Sequence, residues 1–348
     1  MVISRVKRKF PVAIGLAGIA VVTAVSSWAM LFPPRLVESI YSRRLFPTVS
    51  HIAGRFADSI PFSWADVWIL AGVFTVVFSV RQKNWRLPLG LVSAAYLIFF
   101  WGWGLNYHRS PMEVRMGLKA VPEPSKQEFS QFLSATTLAV NRLWTEVAEQ
   151  QTRQRNSTSI EPEASSRVRE VVAQIDGTDW GAATRIKHSY PADLWFHAAG
   201  IDGVFNPFGH EPILVSGIPG FRLPFVMTHE LAHVHGIAGE GDANFVAFLA
   251  SLGSSDPGFQ YSAAFEMWLH LGGAAAELDP GPRRDLQSYL DLIRSQEIPQ
   301  LSRIQSAILD SHLKANGIQE GVKSYSKFVA LAIATRDRWG NFQKMPNR

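Results

Sequence analysis

The sequence contains no cysteine. That excludes a disulfide framework and any thiolate metal site, and it leaves histidine and carboxylate as the metal ligands on offer. No internal repeat is visible. No recognised nucleic-acid motif accompanies the net charge of +5 and the pI near 9.5. The basic residues cluster at the flanks of apolar runs instead, so nucleic acid is not expected as a partner. No clean A-x-A site follows the first apolar run, which favours a retained anchor over a cleaved signal peptide.

What is present is a high apolar content, 47% of 348 residues with 11 Trp and 22 Phe, much of it bunched near the start. Three apolar runs stand out, at about residues 11–32, 64–80 and 87–105. Each reads as a membrane span. Asp66 sits at one end of the second, a position tolerable only at an interface. Trp101, Trp103 and Tyr107 end the third and read as an interfacial aromatic belt. Arg5, Lys7, Arg8 and Lys9 precede the first run, and Arg81, Lys83 and Arg86 fill the second connection. Both segments are expected in the cytoplasm. The first connection carries Arg35, Arg43, Arg44 and Arg55, diluted by Glu38 and Asp58, and reads as an amphipathic segment on the outer surface. Three spans with the start inside place everything after about residue 106 outside the cytoplasm.

The rest of the chain is organised around Thr228-His229-Glu230-Leu231-Ala232-His233-Val234-His235-Gly236. Pro224 is placed to start a helix here and Gly236 to stop it. His229 and His233 are four apart, so they project from one helical face, as two imidazoles sharing one zinc ion must. Glu230 is rotated by about 100° from His229 and can reach a water on that zinc as general base. Accident produces about 0.01 copies of H-E-x-x-H in a chain of this composition. His235 falls about 200° around the helix from His233 and is given no role.

Elsewhere, Ser125 and Glu128 form a capping box that opens a helix to about residue 151. Residues 150–166 read as a loose polar loop, followed by a short helix at about 165–175. From 194 to 216 glycines and prolines interrupt short β-like pieces. This stretch is expected to run beside the metal helix and to pair with an extended peptide substrate. His210 and Glu211 lie within it and read as a structural pair. Helices are expected at 242–252, 259–277, 283–294, 299–315 and 322–338. Tyr325, His312 and Tyr261 are candidates to support an oxyanion, each more often plain packing.

A third ligand must follow the two histidines. A metzincin carries a His six residues after the second one, but here that position is Gly239. The run Glu240-Gly241-Asp242-Ala243-Asn244 resembles the E-x-x-A-D signature of membrane gluzincins of the CAAX-processing type. That resemblance implies Glu240 as ligand and Asn244 as the residue that orients the first histidine. Asn stands here for the usual Asp and brings no charge. Asp242 is the rival ligand.

Beyond the metal helix, several stretches carry a wider likeness. They are Trp101-x-x-x-Leu105-Asn106-Tyr107, Phe208-Gly209-His210-Glu211-Pro212, the run from Ala243 to Ala250, Leu313-Lys314-x-x-Gly317 and Gly321-x-x-Ser324-Tyr325. Together they make nearly the whole chain resemble a bacterial family of membrane-anchored, zincin-like proteins described only as a domain of unknown function. The resemblance implies a mainly α fold. Residues 1–110 form a membrane domain with three transmembrane helices. Residues 111–348 form an extracytoplasmic zincin-like α+β domain with a small edge sheet, held at the bacterial inner membrane. The resemblance implies a zincin-like site but fixes no substrate. The residues themselves lead to the expectation of a zinc metallopeptidase with Zn2+ on His229, His233 and Glu240, Glu230 as catalytic base, and a peptide or protein substrate in or near the bilayer. The alternatives are a non-catalytic zinc-binding envelope scaffold or sensor, and a zinc hydrolase acting on a non-peptide envelope polymer.

Overall fold

The structure is a computed structural model that describes residues 12–29, 31–118, 121–149, 156–181, 185–316 and 325–339. The basic tail from Arg5 to Lys9, the glycines at 317 and 321, Ser324 and the Tyr325 side chain lie outside the described residues. The architecture is mainly helical, with one small antiparallel sheet.

Helix α1 (Val12–Trp28) packs along α5 (Arg86–Gly102), where Gly90 lies close under Ala13. Between them, α2 (Pro34–Leu36) runs on through a π-helical segment, Val37–Leu45, into α3 (Phe46–Asp58). Helix α4 (Trp64–Gln82) is capped at its start by the Ser63 hydroxyl, which accepts from the Ala65 N–H at 3.0 Å.

The expectation of three spans is corrected here. Among the described residues only α4, at 19 residues, is long and apolar enough to cross a bilayer; the described parts of α1 and α5 are 17 residues each, short of the roughly 18 at which an apolar stretch reads as a span. The backbone explains the shortfall in the third run. Trp103 leaves helical geometry at φ −150°, and a 3-10 turn, Gly104–His108, follows. A Cβ at Gly104 would stand 2.9 Å from the Phe99 ring, so the chain folds back tightly there. The aromatic belt is corrected with it. Trp101 is exposed, but Trp103 is buried and its indole donates to the His233 carbonyl at 2.9 Å.

Helix α6 (Met112–Arg115) leads to α7 (Lys126–Glu149). The Ser125 hydroxyl accepts from the Glu128 N–H at 3.2 Å and the Glu128 carboxylate from the Ser125 N–H at 2.9 Å, the reciprocal capping box read from the sequence. Helix α8 (Ser157–Asp176) begins well before the loop-then-helix boundary expected near residue 165. Its polar composition hides a helical stripe: Ile160, Ala164, Val168, Val171, Val172 and Ile175 are all buried.

Helix α9 (Tyr190–Ala199) precedes the hairpin of β1 (Gly203–Asn206) and β2 (Glu211–Leu214), paired Gly203 to Leu214 and Asn206 to Glu211. Lys187 bridges to the far side of β2. Among the described residues β1 has no second strand partner.

Then come α10 (Leu223–Val234), α11 (Glu240–Leu252), α12 (Pro257–His270), α13 (Pro280–Gln296), α14 (Pro299–Ala315) and α15 (Tyr325–Trp339). Helix α10 is the centre of the core. It packs on α8, α11, α12 and both strands, and all but one of its residues are buried. The same core takes in Phe46, Phe100 and Trp103, so the first hundred residues and the metal helix share one interior.

Candidate metal centre

Helix α10 starts with Pro224 in its first turn and stops at Gly236, at φ +75°. Only glycine fits there on two counts. The backbone is left-handed, and a Cβ would meet the Phe46 ring at 2.8 Å and the Asn106 side chain at 3.1 Å. The chain turns over this glycine and re-enters a helix at Glu240, the first residue of α11. The turn brings three side chains to one point. His229 Nε2 and His233 Nε2 lie 3.1 Å apart. Glu240 Oε2 lies 3.3 Å from His229 Nε2 and 3.8 Å from His233 Nε2. Four ligands about 2.0–2.1 Å from zinc in a tetrahedron are spaced roughly 3.3–3.4 Å from one another, so this spread fits the ion.

The electrostatics also fit. His233 Nδ1 bonds the Ile237 carbonyl at 2.7 Å, which turns Nε2 towards the cluster. Burial opposes a charge on His233, but the Glu240 carboxylate outweighs it and pushes the imidazole up to about 9. Burial likewise opposes ionisation of Glu240, but His233 and His229 hold its carboxyl well below the usual range. The spot on which the three side chains converge thus attracts positive charge, and a divalent cation bound there would displace the imidazole proton.

Asp242, the rival ligand, is engaged elsewhere. It pairs with Lys327 of α15 at 3.1 Å, and Lys327 also reaches Glu113 at 3.1 Å. Asn244 is buried beside the site, and its Nδ2 has no hydrogen-bond partner.

Glu230 is buried next to the ligands, and its Oε2 is also without a partner. Burial pushes its carboxyl up to about 7, against the pull of the two histidines. It is pressed by Gly203 of β1, where a Cβ would stand 2.7 Å from Glu230 Oε1. Sequence reading missed that role for Gly203, because nothing local to Gly203 signals a neighbour on α10.

A cavity of about 1180 Å³ opens on the site. Glu230, both histidines and Glu240 line it. Tyr107 and His312 line it too and pack edge to face at 5.6 Å. Both feel the Glu240 charge; burial and that charge together push the Tyr107 phenol up, so it stays a hydrogen-bond donor. Of the three oxyanion candidates, His312 is thus beside the site. Tyr261 instead donates to Asp285 at 2.8 Å in a second apolar cluster.

His210 and Glu211 prove structural. Glu211 Oε1 accepts from the Ser63 hydroxyl at 2.7 Å, the Ala65 N–H at 3.1 Å and the Asn206 amide at 3.0 Å, tying the hairpin to the start of α4. His210 is buried between Phe46 and Phe205, and burial pushes it down to about 4. His235 stacks on Trp180 at 4.6 Å, away from the cluster.

No curated protein and no solved structure matches the chain. Residues 41–333 match a family described as a protein of unknown function, DUF3810, a span that holds His229, Glu230, His233 and Glu240. The chain belongs to the DUF3810 family.

Proposed function

We propose that this protein is a membrane-anchored zinc metallopeptidase of zincin-like type. The observation that carries the reading is the convergence of His229, His233 and Glu240 with a buried, unpartnered Glu230 beside them. A purely structural zinc site has no need of that carboxylate, which weighs against a scaffold or sensor.

Zinc bound to His229, His233 and Glu240 would polarise a water and bring its pKa towards about 7. Glu230 would hold the proton of the attacking water and pass it to the leaving amine. Its desolvated site and raised affinity for a proton suit both halves of that transfer. Tyr107 and His312, on the Glu240 side of the cavity, are the side-chain donors available to the oxyanion. The free edge of β1, with Gly203, Val204 and Phe205 lining the cavity, offers main-chain hydrogen bonds to an extended peptide.

Anchoring rests on α4 and on an apolar surface beside it. Leu70, Phe74 and Val80 of α4, Val21 and Val25 of α1, and Ile52 of α3 are all exposed. Orientation follows from two observations. Arg81, Lys83 and Arg86 mark the end of α4 as cytoplasmic. Glu211 of the hairpin holds the other end at Ser63, so the metal site belongs outside the cytoplasm.

The test is metal removal from the detergent-solubilised protein. Hydrolysis of a quenched-fluorescent casein is expected to disappear with a zinc chelator and to return with about one equivalent of zinc. Hydrolysis that survives complete metal removal would contradict the reading.

A further inference from the structure

The cavity over the metal cluster does not end there. Its lining continues onto the apolar helices, through Val92, Tyr96 and Phe99 of α5 and Ala24 of α1. Val92, Tyr96, Phe99 and Trp103 fall at i, i+4, i+7 and i+11, so they form one stripe down α5. The stripe ends at the indole that holds the His233 carbonyl. Facing it, Ser302, Gln305, Ser306, Leu309 and His312 form one face of α14. The far end is open: Val92 is 66% exposed, in the same apolar belt as the exposed Val21, Val22 and Val25 of α1. One cavity therefore links a cluster of metal-ligating groups to an apolar mouth on the surface proposed to meet lipid.

We propose that the substrate is an acylated peptide. Its aliphatic chain enters at Val92 and lies along the α5 stripe, and its scissile carbonyl sits at the metal cluster. This rests on the zinc-peptidase reading and adds the substrate class. The α5 side of the arm is apolar, so each methylene laid along it is favourably buried, while Ser302, Gln305 and Ser306 line the opposite side. From Val92 to the end of α5 is roughly 15 Å, the reach of an extended chain of about a dozen carbons.

The test measures binding of hydroxamates, which chelate zinc, to the zinc-loaded full chain in one detergent. Acetohydroxamate, octanohydroxamate and dodecanohydroxamate are compared on wild type and on Val92→Trp, which plugs the mouth; zinc content reports that the variant has folded. Ala24→Phe, filling the arm from α1, serves if Val92→Trp does not fold. Affinity on wild type is expected to rise by roughly threefold to fourfold per methylene until the arm is full. The plugged variant should lose most of that gain. Partitioning into detergent is common to both proteins, so their difference isolates the arm. Affinity that ignores chain length, or rises equally in wild type and a folded plugged variant, overturns the proposal while leaving the zinc site standing. Failure of acetohydroxamate to bind zinc-loaded wild type overturns the zinc reading and the proposal with it. Competition by an N-dodecanoyl dipeptide supports the peptide assignment; competition by a lysophospholipid alone overturns it.

Discussion

Glu230→Gln is expected to keep its zinc and to lose hydrolysis by about 10²–10⁴-fold, the usual worth of a general base. The split follows from the geometry. The three ligand atoms come from His229, His233 and Glu240, so the metal does not depend on Glu230. Gln has the same shape and fits the same buried place, but it cannot take a proton. Gly203→Ala should reach a similar end by another route. The added methyl needs the space that Glu230 Oε1 occupies 2.7 Å away, so the base must shift while the ligands stay. Turnover on the casein substrate and zinc per chain, measured on the same preparations, check both variants. Full turnover in Glu230→Gln with zinc retained would remove Glu230 from the role of general base.

Asp176→Ala is expected to destabilise the fold by about 3–5 kcal/mol, the cost of breaking a buried ion network by removing one partner. Asp176 accepts from Arg115 at 2.5 Å and from Arg109 at 2.9 Å, and all three side chains are 5% exposed or less. Arg109 also bonds Glu38 at 2.8 Å and the Gly236 carbonyl at 3.2 Å. The network therefore clamps the segment before α3 and the end of α8 to the turn between the two ligand helices. Without Asp176, two buried guanidinium groups share the single carboxylate of Glu38. Thermal unfolding of the variant beside wild type measures the loss.

The same network sets an acid limit. Burial opposes ionisation of Asp176 and Glu38, but the arginines outweigh it and hold both carboxyls below their usual values. Groups with depressed folded values contribute stability above their unfolded values, near pH 4, and lose it as the pH falls through the folded ones. The wild-type melting temperature should thus drop more steeply below about pH 4 than that of Asp176→Ala. Equal slopes would remove the network from the account.

Helix α10, with His229 and His233 on one face, was legible because all its signals are local. Pro224, the four-residue spacing of His229 and His233, and Gly236 lie within thirteen residues, and the capping box at Ser125 is equally short in range. The place of Glu240 beside the two histidines was legible only by resemblance. Glu240 and Asp242 are two residues apart with glycines at 239 and 241, and what separates them is Lys327, a distant residue that takes Asp242. The membrane region was overread for a related reason. Hydropathy cannot tell an aromatic at a lipid interface from one buried beneath another helix, and Trp103 is the second kind. At α8 the error ran the other way: an abundance of Ser, Glu and Arg masked a continuous buried stripe from Ile160 to Ile175. Tyr107 was read as part of an interfacial belt and Gly203 only as part of a β-like stretch, since their partners at the site lie far along the chain.

The account depends first on metal. Zinc per chain should be measured on the detergent-purified protein, with Glu240→Ala and Asp242→Ala beside wild type. About one zinc is expected in wild type and in Asp242→Ala, and little or none in Glu240→Ala. No zinc in wild type after reconstitution, or zinc lost with Asp242 and kept without Glu240, would contradict the site described here.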